Sequence, residues 1–585
     1  MSPWTFGPAL APNGVTFRLW APAAKKVELL LDRLLPMQRD ADGWCTIVVS
    51  DAGLGTRYQF RIDGKTDVPD PASAFQPHDV SGPSEVINHE SHRWRATEWR
   101  GRPWEEAVLL ETHVGAFTPE GTYRSVIEKL DRIVDAGFTA VELMPLADFS
   151  GRRNWGYDGV LWYAPDSVYG RPDDLKAFID EAHLRGLMVF LDVVYNHFGP
   201  EGNYLPLYAP SFFTAAQTPW GGAIDYRVPE VRQFAIENAL YWLKEYRFDG
   251  LRLDAVHAIV ERGDPSVLMA LSDAVGKLSG EAGRHIHLVL ENDDNHTSLL
   301  DPRRNPPGGQ YRAQWNDDYH HAWHVALTNE TYGYYEDYSE EPRRQILRIL
   351  TSGFAYQGEP SQHRDGRLRG EPSGTMSPLG FVNFLQNHDQ IGNRALGDRL
   401  QASGPAIEAV LAITLLAPMP PLMFMGEEWG SRKPFPFFCD FHDELADAVR
   451  KGRRNEFKAA YAKLGDAMPD PLDEETFRSA VLDWGEREAS EGQARLTLVK
   501  RLLQIRHREI VPRLSQAAFG RGDLAGDALS VSWQLGPDNA LHLLANVSDR
   551  EAPRPGTASV GRALWGGEPP PVLPPWSVFW RVEGA

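Results

Sequence analysis

Apolar and polar positions divide the chain into three stretches by their rhythm. Up to about residue 95 they alternate with a period of two. Val15-Thr16-Phe17-Arg18-Leu19-Trp20 alternates, Val27-Glu28-Leu29-Leu30-Leu31 is a strand-like run, and Tyr58-Gln59-Phe60-Arg61-Ile62 leads into the turn dipeptide Asp63-Gly64. Short strands punctuated by Gly and Pro predict an immunoglobulin-like β-sandwich over residues 1–95. Residues 67–102 are rich in Pro, Ser and His with weak periodicity and read as the linking loop.

From about residue 96 to 514 apolar runs of strand length alternate with amphipathic helices. Strands are predicted at 107–110, 140–143, 187–194, 250–255, 287–290, 313–315, 381–385 and 422–425. Helices are predicted at 123–136, 173–185, 231–246, 265–278, 406–416 and 494–507. Near-continuous apolar strands are buried on both faces, as in a parallel sheet wrapped by helices. Eight such units in one domain predict a (β/α)8 TIM barrel, with a doubly wound open sheet as the structural alternative. The fold class is therefore α/β, with a short insertion at about 197–228. Residues 515–585 alternate again, at Leu529-Ser530-Val531-Ser532-Trp533, at 540–545 and at Val578-Phe579-Trp580-Arg581-Val582, and predict a C-terminal antiparallel β domain.

Charge narrows the partners. Sixty Lys and Arg against 80 Asp and Glu give a net charge of −20 with no basic block, which argues against a nucleic acid or an anionic membrane. The longest uncharged stretch, 409–425, is broken by Pro418, Pro420 and Pro421 and is too short to span a bilayer. The first residues show no secretory signal, and a cytoplasmic location is expected. Two distant cysteines, Cys45 and Cys439, form neither a disulfide framework nor a metal cluster, and read as reduced structural thiols. No cofactor or metal is expected.

Reactive groups of a TIM barrel lie at the C-terminal ends of its strands. In Gly250-Leu251-Arg252-Leu253-Asp254, a period of two sends Arg252 and Asp254 inward and the leucines toward the helices. A buried Arg beside a carboxylate keeps it ionised, as a carboxylate nucleophile requires, although a structural ion pair has the same signature. Glu291 follows the apolar run His287-Leu288-Val289-Leu290, where desolvation and a neighbouring anion raise a carboxyl pKa and suit a general acid. Asp389 follows Asn387-His388, with His388 beside it as a hydrogen-bond donor, and Asp192 to His197 ends another strand in polar groups. Three carboxylates, two His and an Arg thus gather at one mouth.

These segments, Asp192-Val193-Val194-Tyr195-Asn196-His197, Gly250 to Asp254, Glu291 and Asn387-His388-Asp389, resemble in order and strand position the four signature regions of the α-amylase family, glycoside hydrolase family 13. Trp155-Gly156-Tyr157-Asp158 resembles that family's stacking-tyrosine segment. Trp20-Ala21-Pro22 resembles the β-sandwich of branching and debranching enzymes. The resemblance implies that Asp254 is the nucleophile, Glu291 the acid/base and Asp389 the transition-state stabiliser. It implies that Arg252, His197 and His388 hold the sugar at the cleavage subsite and that Tyr157 stacks on its ring. A retaining mechanism needs the two working carboxyls about 5–5.5 Å apart. Adjacent strands lie about 4.8 Å apart, so consecutive strands would meet that condition.

Within the family, Asn196-His197-Phe198-Gly199-Pro200-Glu201-Gly202-Asn203-Tyr204-Leu205 and the segment 314–324 resemble members that act on maltooligosyltrehalose and release trehalose. Phe424-Met425-Gly426-Glu427-Glu428-Trp429 is shared with branching enzymes and discriminates less. The implied reaction is hydrolysis of the α-1,4 bond next to the terminal trehalose, beside a maltooligosyltrehalose synthase without a stable complex. On that reading Asp317, Asp318, Tyr319, His320 and Trp323 recognise the trehalose end, and His257 and Gln390 also contact substrate. The rivals are a branching transferase with the same carboxylates, a metal site at His320, His321 and His324, and an inactive homologue. The second lacks an intervening Glu and a nearby thiolate; the third is opposed by intact Asp254 and Glu291.

Overall fold

A computed structural model describes residues 4–218, 221–259, 266–300, 311–465, 468–555 and 560–584, without the side chains of 459 and 464. Eight parallel strands close into a barrel. They are β1 (Leu109–Thr112), β2 (Ala140–Leu143), β3 (Met188–Val193), β4 (Gly250–Leu253), β5 (His287–Leu290), β6 (Ala313–Trp315), β7 (Phe381–Phe384) and β8 (Pro421–Phe424). The pairing of Leu109 with Leu422 closes the ring. All eight runs read from the sequence form strands, the first two residues later than expected. The run expected at 123–136 as one helix is two, Tyr123–Ile127 and Leu130–Ala136. Of the helix expected at 265–278, Pro265 lies outside the described residues, and the helix runs Val267–Ala282 from a Ser266 cap.

The barrel interior has two chemical layers. Its lower part is apolar, with Leu109, Ala140, Met188, Phe190, Val289, Ala313, Val382 and Leu422 in one buried cluster. Trp104 plugs the floor, its indole nitrogen donating to the Leu379 carbonyl at 2.8 Å. Toward the strand C-termini the inward positions turn polar. Glu111 and Glu142 are register partners on β1 and β2, and Asp192 and Arg252 on β3 and β4; all four are at most 2% exposed. Gly250 opens β4 because a Cβ there would sit 2.2 Å from the Phe190 ring and 2.5 Å from the His287 carbonyl oxygen.

The N-terminal residues form two facing sheets. One holds Ala9–Ala11, Gly14–Trp20, Trp44–Val49 and Gln38–Arg39; the other holds Leu34–Pro36, Val27–Leu30, Arg57–Ile62 and Thr66–Val68. Asp63 and Gly64 both take positive φ, 52° and 69°, in the tight turn that joins the last two strands. Part of the segment expected as a linker belongs to this sandwich, because Thr66–Val68 and Ser84–Glu85 both pair with Arg57–Ile62. Strands of two or three residues carry too short a run for periodicity to register. The insertion after β3 holds Leu205–Tyr208, Pro210–Phe212 and the paired strands Phe213–Thr218 and Gly221–Ile224.

At the C-terminus five antiparallel strands, in the order Ala517–Ala525, Ala528–Leu535, Ala540–Asn546, Val578–Glu583 and Arg562–Trp565, form one sheet. Trp533 and Trp580 stack at 5.5 Å on its barrel-facing side. Their indole nitrogens donate to the carbonyls of Leu350 and Ala412, which lie in the helices Pro342–Ser352 and Gly404–Leu416. Buried indoles that find such acceptors dock the sheet without an unsatisfied donor. Cys45 and Cys439 are free and buried. Among the described residues no helix is long and apolar enough to cross a membrane.

Candidate active site

The site grows from the ends of β3, β4, β5 and β7. Leu253 and Leu290 are register partners, so Asp254 and Glu291, the next residues, leave two adjacent strands in step. Arg252 lies between them. Its Nη1 donates to Asp192 Oδ2 at 2.6 Å and Asp254 Oδ1 at 2.9 Å, and its Nη2 lies 2.8 Å from Glu291 Oε2. The guanidinium rests over the Trp315 ring, 4.1 Å from its centroid. Asn196 Nδ2 donates to the other Asp254 oxygen at 2.7 Å. Both Asp254 oxygens are thereby held, which fixes the rotamer of the carboxylate.

Past Asp254 the chain turns sharply. Ala255 sits in the left-handed region at φ 39°, ψ 51°, uncommon and strained for a residue with a Cβ. The turn brings the Ala255 N–H to Glu291 Oε2 at 2.8 Å and the Val256 N–H to the Glu291 carbonyl at 3.0 Å. Burial raises the Glu291 pKa, the Asp254 charge adds to it, and Arg252 opposes it.

β7 continues through Asn387, whose side chain caps the short helix His388–Gly392 by accepting from the Asp389 and Gln390 N–H groups. The cap aims Asp389 at the cavity. The donor to Asp389 is Asn393, at 2.8 Å, rather than the neighbouring His388 expected from the sequence. His388 points the other way: its Nδ1 bonds Glu111 Oε1, and its backbone N–H donates to Glu111 Oε2 at 3.0 Å. Burial opposes the imidazolium, but Glu111 outweighs it and the His388 pKa ends up raised. Burial also raises the Asp389 pKa, with His388 opposing. Tyr157 stacks on His388 at 5.0 Å and donates its hydroxyl to Asp192 at 2.6 Å. Burial pushes Asp192 up to about 7 against the pull of Arg252. His197 Nε2 pairs with the Tyr157 carbonyl at 2.9 Å.

These residues enclose a cavity of about 500 Å³ that Tyr157, His197, Arg252, Asp254, His257, Glu291, His388 and Asp389 all line. His257 stands exposed on the rim. Of the helix Asp317–Thr328, only its first residue turns toward this region. Asp317 accepts a long bond from Gln390 at 3.4 Å, and burial followed by the charges of Glu291, Asp293 and Asp389 raises its pKa. Neither Asp317 nor the other four helix residues expected to recognise sugar line the cavity, and Gln390, also expected to contact substrate, does not line it either. Asp318 is fully buried and accepts from the backbone N–H groups of Ala355 and Tyr356, from Asn295 and from Tyr338. The Tyr319 hydroxyl bonds Thr414, His320 bonds the Leu385 carbonyl and the Tyr335 hydroxyl, and Trp323 is fully buried in the core. Successive helical residues turn by about 100°, so one helix cannot present a run of neighbours to the same cavity. His324 is paired with Glu330, and among the described residues no group of His, Cys, Asp or Glu is arranged to hold a metal.

Sequence reasoning missed Glu111 and Asn196 as holding groups. It also missed one cavity wall, formed by Trp155, Asn393, Phe437, Arg453 and Glu456. Two larger clefts, about 590 and 720 Å³, lie at the opposite end of the barrel around Trp104 and His507, away from these carboxylates.

Comparison with known proteins bears on the same regions. The model "Alpha amylase, catalytic domain" matches residues 79–207, "Carbohydrate-binding module 48 (Isoamylase N-terminal domain)" matches 5–76, and a domain of unknown function matches 517–580. The chain is 40% identical to a Malto-oligosyltrehalose trehalohydrolase from Deinococcus radiodurans over 540 residues, 90% of this chain and 88% of the relative. A crystal structure from Salmonella typhimurium that carries an alpha amylase designation superposes with a TM-score of 0.94 at 44% identity, covering 99% of this chain and all of the other. A 1,4-alpha-glucan branching enzyme from Pseudoalteromonas atlantica matches at 32% identity over only 42% of this chain.

Proposed function

The chain belongs to the malto-oligosyltrehalose trehalohydrolases of the α-amylase family, and from that premise we infer how its site acts. It hydrolyses the α-1,4-glucosidic bond next to the terminal trehalose of maltooligosyltrehalose and releases trehalose. The observation that carries the chemistry is the sharing of Arg252 between Asp254 and Glu291, on strands in register. Two carboxyls that share one guanidinium at adjacent, in-register strand ends suit the close spacing that a retaining mechanism needs.

Glu291 is held by two donors through Oε2, and its side chain is 18% exposed. With its pKa raised it carries a proton to the glycosidic oxygen as the C–O bond breaks. Asp254 attacks the anomeric carbon on the opposite face, and a glucosyl ester forms while trehalose departs. Water enters, Glu291 takes its proton, and the ester bond breaks to release the maltooligosaccharide with its α-configuration kept. Asp389, capped on its short helix, stabilises the developing positive charge. Arg252, His197, His388 and Tyr157 hold the ring at the cleavage subsite, while Asp317, Gln390 and His257 stand on the leaving-group side. The branching reading is disfavoured by the partial extent of its match.

We place the enzyme in the cytoplasm, working after a maltooligosyltrehalose synthase without a stable complex, with the barrel spanning residues 96–514 between the two β modules. The deciding experiment incubates the protein with maltotriosyl-trehalose and, separately, with maltopentaose, and follows the anomers by NMR. Trehalose plus α-maltotriose, with the control cut slowly, is the expected result. Equal cleavage of the control, a β-anomer, or new α-1,6 branches would each sink the reading.

A further inference from the structure

The cavity wall that sequence reasoning missed lies across the mouth from Asp254 and Glu291. It starts at His388, against which Trp155 packs edge-on at 5.3 Å, and continues through Phe437, edge-on to Trp155 at 5.2 Å. It ends on the helix Asp443–Glu456, where Arg453 lies over Phe437 at 5.1 Å and over Phe457 at 4.7 Å. Arg453 Nη1 donates to Glu456 Oε2 at 2.9 Å, and Nη2 donates to the Gly392 carbonyl at 2.9 Å. The Arg453 side chain is 17% exposed and that of Glu456 48%.

The position of the acid fixes the direction of the substrate. Glu291 protonates the departing oxygen, so trehalose leaves over the β5 side, where His257 forms the rim. The glucan attached to Asp254 must run the other way, along Trp155 and Phe437 toward Arg453. A guanidinium offers only donors and a carboxylate only acceptors, so the adjacent pair matches vicinal sugar hydroxyls, which are both. Stacking between two phenyl rings immobilises the guanidinium beforehand, so little rotamer entropy is lost on binding. We propose that Arg453 and Glu456 bind the retained glucan beyond the cleaved ring and set how long that glucan must be for efficient turnover. This rests on the trehalohydrolase reading.

Arg453 also tethers Gly392, the last residue of the helix that carries Asp389, and a purely positioning role would slow every substrate alike. The test measures kcat/KM for glucosyl-, maltosyl- and maltotriosyl-trehalose with the wild type, Arg453→Met and Glu456→Ala. The expected result is that the ratio of kcat/KM for maltotriosyl- over glucosyl-trehalose falls about tenfold or more in both variants, mostly through KM, as for loss of a charge-assisted hydrogen bond. A ratio unchanged in both variants overturns the proposal, whatever happens to absolute rates. Glu456 is half-exposed, so its variant keeps the test open if the Arg453 variant folds poorly. A wild-type chain that releases no trehalose from any of the three would overturn the underlying reading, an outcome distinct from a flat ratio.

Discussion

His388 is under two opposing pressures: burial favours the neutral ring, and the Glu111 carboxylate favours the imidazolium and prevails. In Glu111→Gln the hydrogen-bonding shape survives and the charge does not. A His388 pKa that is no longer raised is then lost as the pH rises through a lower value. The alkaline limb of kcat/KM should move to lower pH, with about a tenfold loss near neutrality that partly recovers on acidification; an unshifted limb in a pH–rate profile would remove His388 from that role. Glu142 is the complementary case. Both its oxygens are buried, at 1% exposure, with no hydrogen-bond partner among the described residues, and burial raises its pKa far above the usual value, with Glu111 and Asp192 adding. A carboxyl whose folded pKa is raised supports the fold fully below the unfolded value of about 4.3, and that support is lost as the pH climbs toward the folded value. Glu142→Gln removes the titration. Relative to the wild type its unfolding midpoint should therefore rise between pH 5 and pH 8, by up to about 1.4 kcal/mol per pH unit, as denaturant titrations at the two pH values would show. Neither residue was legible as functional in the sequence. Glu111 sits inside the apolar run Leu109-Leu110-Glu111-Thr112 and Glu142 inside Ala140-Val141-Glu142-Leu143, where only the closed barrel reveals that each faces inward toward charge. Asp254 was legible because a period of two fixed which way it faces, and Glu291 because it directly follows a continuous apolar strand.

The helix Asp317–Thr328 shows where sequence spacing stops being informative at the level of elements. Its polar and aromatic side chains read as a binding surface, but rotation about the axis sends only Asp317 toward the cavity and the next residues into contacts with neighbouring elements. Asp318 acts as a rivet instead. It joins this helix to the backbone at 355–356, to Tyr338, to Asn295 in the loop after Glu291, and to Arg369, at 3.0 Å. Arg369 is itself only 3% exposed in its side chain and shares Asp293, two residues past Glu291. In Asp318→Ala two buried backbone N–H groups lose their acceptor and a buried guanidinium loses one of its two carboxylates. Breaking a buried pair from one side costs about 3–5 kcal/mol. The expected outcome is a large fall in the unfolding midpoint, with KM for trehalose-terminated substrate on the folded fraction unchanged. A raised KM in a variant of normal stability would restore Asp318 to substrate recognition. Asn295 and Asp293 flank the acid, so kcat is the parameter that should follow the loss of this rivet.

At the scale of the whole chain the three stretches of the sequence map onto a sandwich, a closed barrel and a terminal sheet because burial on one face and burial on two leave different marks. What their rhythm does not encode is how the modules lean on one another, since that depends on which aromatics face a neighbour. The N-terminal sandwich matches the Carbohydrate-binding module 48 model, yet several of its aromatics are turned to the barrel. Phe6 packs edge-on to Phe234 at 5.0 Å, Trp4 edge-on to Tyr241 at 5.9 Å, and Trp20 on Phe212 of the insertion at 5.7 Å while its indole donates to the Asp42 carbonyl. The Thr5 N–H donates to Glu237 and the Ala23 N–H to the Tyr208 carbonyl across the same seam. A ring 7% exposed, as Trp20 is, offers no face on which a sugar can stack. Trp20→Ala therefore separates buttressing from glycan capture. Removing a buried Trp costs about 3–5 kcal/mol, so the unfolding midpoint should drop sharply. Retardation of the folded protein in a gel containing amylose should stay that of the wild type. If the variant keeps its stability and loses retardation, the module holds glycan through Trp20 and the seam is incidental.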